Sequence, residues 1–166
     1  MMDYVFLQGD LPLTPGLDIA GTVEAIGDKV KSLTVGQRVI AFPSKASYSE
    51  YAVAWDVLTY GVAENINFSI VAACPTVSIL SYKLLRDVAR LEQGENVLIH
   101  AAAGGATAIQ LAKILGAGQV IGTVSHKDKF LVIEEAGADH VLLYDRFSDK
   151  VNELTNGKGA TLSWIL

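Results

Sequence analysis

The stretch Asn96-Val97-Leu98-Ile99-His100-Ala101-Ala102-Ala103-Gly104-Gly105 decides how this chain is read. Its first part, Asn96 to Ala101, is short and nearly all apolar, the pattern of a parallel strand buried on both faces. Two glycines follow at once, and a helix is predicted from about Ala106 to Leu115. The alternation then repeats. Gln119–Val124 reads as the next strand, and Ser125 opens a helix to about Ala136. Gly137-Ala138-Asp139 turns into a third strand, His140 to Tyr144, and a helix near Asp149–Thr155 leads to a last strand, Ala160–Leu166. Strands alternating with helices in this way define an α/β chain, a parallel sheet with crossover helices.

Upstream, Val77, Leu80, Leu84, Val88 and Leu91 recur at spacings of three and four, which places one apolar stripe on a helix from Thr76 to Leu91. The region before about Ala63 is different. Ile19–Ile26, Gln37–Phe42 and Tyr48–Val53 read as strands, punctuated by Gly16, Gly27, Gly36 and Pro43. Tyr48 and Tyr51 on the third of these read as packing residues.

Composition narrows the function. The 166 residues fit one ordinary domain or two small ones. With 51% hydrophobic and 19% charged residues, the chain is not of the disordered class. Its 13 Lys and Arg against 18 Asp and Glu argue against nonspecific nucleic-acid binding. Cys74 is the one cysteine, which excludes an intrachain disulfide and a multi-cysteine zinc site and fits a reducing compartment. Met1 to Asp10 has no basic n-region, and its apolar run is too short for a signal peptide. The apolar stretch Val97–Val124 is broken by His100, Gln110, Lys113 and several glycines, unlike a membrane span of about 20 apolar residues. A cytoplasmic protein without nucleic-acid or membrane partners is expected.

A glycine turn that leaves a buried strand and opens a helix is an anion site, because backbone N–H groups and the helix N-terminus face one point. Gly104 and Gly105 let a pyrophosphate approach there. They equally suit a tight turn with no ligand, since no full G-x-G-x-x-G is present. Ser125 follows Gly104 by about twenty positions, where an Asp or Glu reads the ribose in NAD sites. Here Ser125 is followed by His126, Lys127, Asp128 and Lys129, a hydroxyl and ammonium groups that suit a 2′-phosphate and favour NADPH over NADH. The alternative is a capping box of Ser125 with Asp128 and solvated lysines, and the two roles are compatible. His100 reads as a core or loop-positioning residue rather than a catalyst, and His126 and His140 as surface or strand-edge residues. No spacing supports a metal site or a G-x-S-x-G nucleophile.

Together these segments resemble the zinc-free quinone oxidoreductases of the medium-chain dehydrogenase/reductase superfamily. Pro15-Gly16-Leu17-Asp18-Ile19-Ala20-Gly21-Thr22-Val23 resembles the family's Pro-Gly-x-Asp/Glu-x-x-Gly-x-Val, and Val35-Gly36-Gln37-Arg38-Val39 its Val-Gly-Asp-Arg-Val. Ser49-Glu50-Tyr51-Ala52, Val97–Gly105 with Gln110–Lys113, Val120–Ser125 and Gly137–Val141 extend the match over nearly the whole chain. The resemblance implies a partial GroES-like β domain, residues 1–66, followed by a partial Rossmann domain, a doubly wound parallel sheet, residues 67–166. It implies NADPH as hydride donor to a quinone or an activated alkene or carbonyl compound, a small-molecule substrate. Gly104 and Gly105 fall where the family binds pyrophosphate, Ser125 and Lys129 where it meets the 2′-phosphate, and Tyr144 near the adenosine end. Gly16-Leu17-Asp18 stands where the zinc branch has Gly-His-Glu, and leucine cannot ligate a metal.

Three departures from the family are expected to matter. The family's first strands and its Asn-Pro segment should precede Asp3, and the rest of its nucleotide domain, with the dimer-forming strand, should follow Leu166. The glycine loop is also two residues short, one of them a glycine. Two residues amount to about 200° of helix rotation, so the loop must be tighter or the helix must start later. A truncated oxidoreductase is therefore the leading expectation. The alternatives are a non-catalytic nucleotide-binding or partner-binding module, and a marginally stable fragment whose last strand is an exposed edge that invites self-association; a homo-oligomer is a separate expectation.

Overall fold

The computed structural model describes residues 12–43, 46–102 and 105–165. The chain divides into two compact units, Met1–Val77 and Ser78–Leu166.

In the first unit, β1 (Ile19–Thr22), β2 (Arg38–Ala41) and β3 (Thr59–Gly61) form an antiparallel sheet in that order. Ile19 pairs with Ala41 and Val39 with Gly61. Val39 and Ala41 alternate into the interior, as the two-residue period of a strand requires. The strand expected at Tyr48–Val53 does not form. The Ser49 hydroxyl bonds the carbonyls of Ala46 at 2.7 Å and Tyr51 at 2.8 Å, local bonds that compete with a strand ladder. Tyr48 and Tyr51 are exposed rather than packed. The third strand is instead β3, entered through a single 3₁₀ turn, Asp56–Leu58. A short helix, α1 (Phe68–Ala72), was not legible from apolar spacing; Asn67 caps it by accepting the Ser69 N–H at 2.8 Å. Arg38 ties β2 to this segment. Its guanidinium lies 3.8 Å above the Phe68 ring and donates to the Ile66 carbonyl.

Helix α2 (Pro75–Lys83) continues into a π-helical turn, Leu84–Val88, which places Leu85 in the core of the second unit. That unit then runs β4 (Asn96–His100), α3 (Ala106–Ile114), β5 (Gln119–Val124), α4 (Phe130–Glu135), β6 (His140–Leu143), α5 (Phe147–Leu154) and β7 (Leu162–Ile165). The sheet order is β6-β5-β4-β7, all parallel. This is a Rossmann-type sheet: two crossovers step outward from β4, and the next returns to its other side. Val97, Ile99, Val120 and Val124 pack with Ala102, Ile109 and Ile133 on one face. Leu98 and Ile121 pack with Val151 on the other, which explains the uninterrupted apolar runs. Among the described residues, no helix is long and apolar enough to cross a membrane.

Asp139 fastens the amino-terminal edge of this sheet. Its N–H donates to the Val120 carbonyl at 2.8 Å, and its carboxylate accepts the Val120 N–H at 2.7 Å. Lys113 Nζ reaches both carboxylate oxygens, at 2.9 and 3.0 Å. Burial opposes ionisation of Asp139. The bonds from Lys113 and the Val120 amide, with the charges of Lys113 and His140, outweigh it and hold the carboxyl below its ordinary value. An Asp139→Asn variant is expected to be less stable than wild type by about 1 kcal/mol, a typical charged hydrogen bond at a partly exposed site. A lowered pKa stabilises the fold above the unfolded-state value of 3.8, and that contribution disappears as pH falls through the lower folded value. Urea melts near neutral pH and again below the folded value should therefore show the gap between the two proteins closing in acid. A gap that stays constant with pH would show that the carboxylate charge does not contribute.

Candidate functional site

Parallel strands bring their carboxyl ends to one edge, and the strand order reverses between β4 and β7 at that edge. Open α/β sheets bind ligands at such a switch point. Three of the sequence-predicted residues follow strand ends there: Gly105 after β4, Ser125 after β5 and Tyr144 after β6. Gly104 lies outside the described residues. Val124 pairs with Leu143, so Ser125 and Tyr144 leave adjacent strands at the same level. Tyr144 is exposed.

The turn after β4 is tight. Ala101 adopts a left-handed φ of 50°. The Gly105 N–H donates back to the Ala102 carbonyl at 3.0 Å, and Gly105 is the N-cap of α3. The Gly105 carbonyl then accepts the Ile109 N–H at 3.0 Å, so the helix begins without delay. The helix starts at Ala106, and the bond from Gly105 to Ala102 closes the turn. That bond commits the Gly105 N–H to the turn itself.

After β5, Lys129 Nζ donates to Ser125 Oγ at 3.2 Å, and the two candidate residues form one group. The capping box does not form. A 3₁₀ turn, Lys127–Lys129, precedes α4, and its N-cap is His126, without a side-chain capping bond.

Three residues at this edge are not among the predicted site residues. Thr123 is fully buried, with Oγ1 2.9 Å from His100 Nδ1 and its carbonyl accepting the Ala102 N–H at 3.0 Å. Phe147 meets the His100 ring edge-on, 4.9 Å between centroids. Gly122 faces Ile133 and Ala102. The available signals were a polar residue and a glycine inside an otherwise apolar strand.

In the first unit, Asp18 accepts the Thr76 hydroxyl at 2.6 Å, so its carboxylate is already engaged. Among the described residues, no group of three or more His, Cys, Asp or Glu side chains is placed to hold a metal ion.

Known proteins share both halves of this architecture. Residues 1–66 match the alcohol dehydrogenase GroES-like domain, and residues 104–165 match the zinc-binding dehydrogenase family. Human quinone oxidoreductase is 32% identical over 154 residues, covering 90% of this chain and 46% of that protein. The Escherichia coli quinone oxidoreductase, solved in complex with NADPH, superposes with a TM-score of 0.82 at 32% identity, over 92% of this chain and 48% of that one. The quinone oxidoreductase of Pseudomonas syringae pv. Tomato DC3000 gives 0.83 at 36%, over 92% and 48%. The chain thus spans about half the length of these relatives. With a GroES-like match followed by a Rossmann-type sheet, and with these relatives along nearly all of its length, the chain is similar to the quinone oxidoreductases of the medium-chain dehydrogenase/reductase superfamily.

Proposed function

We propose that this chain binds NADPH at the carboxyl edge of its parallel sheet and serves an oxidoreductase that reduces a quinone or an activated alkene or carbonyl compound. The observation that carries the reading is the Lys129–Ser125 pair at the end of β5, beside the turn at Gly105. An ammonium group and a hydroxyl suit a 2′-phosphate, whereas an acidic residue there would suit a free 2′-hydroxyl. In this proposal Gly104 and Gly105 border the pyrophosphate, Ser125 and Lys129 take the 2′-phosphate, and Tyr144 flanks the adenosine. When bound, NADPH supplies a hydride to the substrate, and solvent supplies the proton that completes the reduction. Leu17 in Gly16-Leu17-Asp18 supports a zinc-free reaction. We place the division between the GroES-like and Rossmann domains at residues 66–67, ahead of the division between the two compact units at Val77 and Ser78.

Calorimetric titration of the chain with NADPH, and separately with NADH, tests this. Tighter binding of NADPH is expected. Equal affinities would remove the 2′-phosphate assignment, and folded protein that binds neither would remove the cofactor. One observation favours a second reading, binding without turnover: the Gly105 N–H points to Ala102 instead of outward. NADPH binding with no reduction of a simple quinone would select it.

A further inference from the structure

At the end of β4, His100 and Ala102 both bond Thr123 of β5. Thr123 is held twice, by His100 through its hydroxyl and by Ala102 through its carbonyl. Among the described residues, His100 Nδ1 is the one hydrogen-bond partner of the Thr123 hydroxyl. A buried hydroxyl proton requires an acceptor. The hydroxyl therefore donates, Nδ1 accepts, and the ring proton resides on Nε2. Phe147, meeting the imidazole at 80°, fixes the plane of the ring. Between the two residues bound to Thr123 lies Ala101, in the left-handed conformation that a residue with a Cβ resists. The bend persists because the residues on both sides of it are pinned.

We infer that His100 is a positioning residue. As its neutral Nε2–H tautomer it accepts the Thr123 hydroxyl, and with the Ala102 amide it holds Ala101 in the bend from which the glycine turn starts. The part of this that concerns a ligand rests on the NADPH reading above; the tautomer and the bend do not. The hydroxyl bond also couples the turn after β4 to β5, two residues before Ser125, so one contact sets both ends of the proposed site.

Three readouts test it. In nucleotide-free protein, imidazole ¹⁵N spectra should show the Nε2–H tautomer at His100. His100→Leu should exchange the Ala102 amide about tenfold faster and bind NADPH about tenfold more weakly, a 1.4 kcal/mol effect. His100→Asn, whose carbonyl oxygen can accept near the position of Nδ1, should stay within about threefold of wild type in both. Adding Ala101→Gly to His100→Leu should recover part of the affinity, because glycine adopts the bend unaided. An Nδ1–H tautomer, or an Ala102 amide that exchanges in His100→Leu as in wild type, overturns the inference. If His100→Leu does not fold, the tautomer and the His100→Asn comparison still decide. Wild-type protein that shows the tautomer and the protected amide but binds no NADPH would sink the cofactor reading alone.

Discussion

Gly122→Val is expected to destabilise the second unit by about 3 kcal/mol or more, the upper range for overpacking a core. A Cβ added at Gly122 would lie 2.9 Å from Ile133 Cγ2 and 3.0 Å from the Ala102 Cβ. Neither neighbour has room to retreat, since both are fully buried in the same cluster. Ile133 belongs to α4 and Ala102 to the turn after β4, so the missing side chain is what lets a helix and a turn close together over β5. Gly122→Ala tests the same contact with one carbon and should cost about 1–2 kcal/mol. Moving that carbon back, in the double variant Gly122→Ala with Ala102→Gly, should restore part of the loss, because neighbouring sites couple. Denaturant midpoints with unchanged slopes would read these effects directly. A loss below about 0.5 kcal/mol for Gly122→Ala would show that the layer yields, and that this glycine does not set the packing distance.

Such a position shows why the second unit was more legible than the first. In β4 and β5 every local cue agrees: short apolar runs, β-branched residues, and turns marked by Gly94 and Gly116. The expected strand at Gln119–Val124 matches β5 to the residue. In the first unit the cues are weaker. Tyr48–Val53 carries strand-forming residues, but the Ser49 hydroxyl redirects its backbone. The third strand has three residues, Thr59–Gly61, too few for a period to register. Helix α1 is likewise short and depends on the Asn67 cap.

The candidate site divides in the same way. Residues close in sequence could be read as a group, so Ser125 and Lys129 were nominated together, and their side chains do meet. Thr123 and Phe147 lie 23 and 47 positions from His100, on β5 and α5, and only the folded sheet and its crossover helices bring them to the imidazole. The length of the glycine loop raises the question of where its N–H groups point, but only the coordinates show that the Gly105 N–H is committed to the Ala102 carbonyl. The same holds for Asp139. Its place in Gly137-Ala138-Asp139 resembled a family segment, yet its reciprocal bonds with Val120 and its ion pair with Lys113 arise from α3 and β5.

Lys129→Ala is the substitution expected to change cofactor choice most. Lys129 Nζ already points to Ser125 Oγ, so the ammonium group is aimed at the end of β5 before any ligand arrives. A phosphate ester beside Ser125 would take a charge-assisted hydrogen bond from it, worth about 1.5–3 kcal/mol, or about ten- to hundredfold in affinity. A free 2′-hydroxyl offers no negative charge, so its loss should be about twofold at most. Lys129→Ala should therefore weaken NADPH at least about tenfold, leave NADH nearly unchanged, and bring the two affinities together. Because the pair is exposed, raising the salt concentration should shrink the wild-type preference and leave the variant almost insensitive. Lys129→Arg should keep most of the preference, since a guanidinium also binds phosphate. An equal loss for both nucleotides would assign Lys129 to the local structure of the turn before α4. The preference for NADPH, if present, would then have to come from Ser125 alone, which Ser125→Ala would expose.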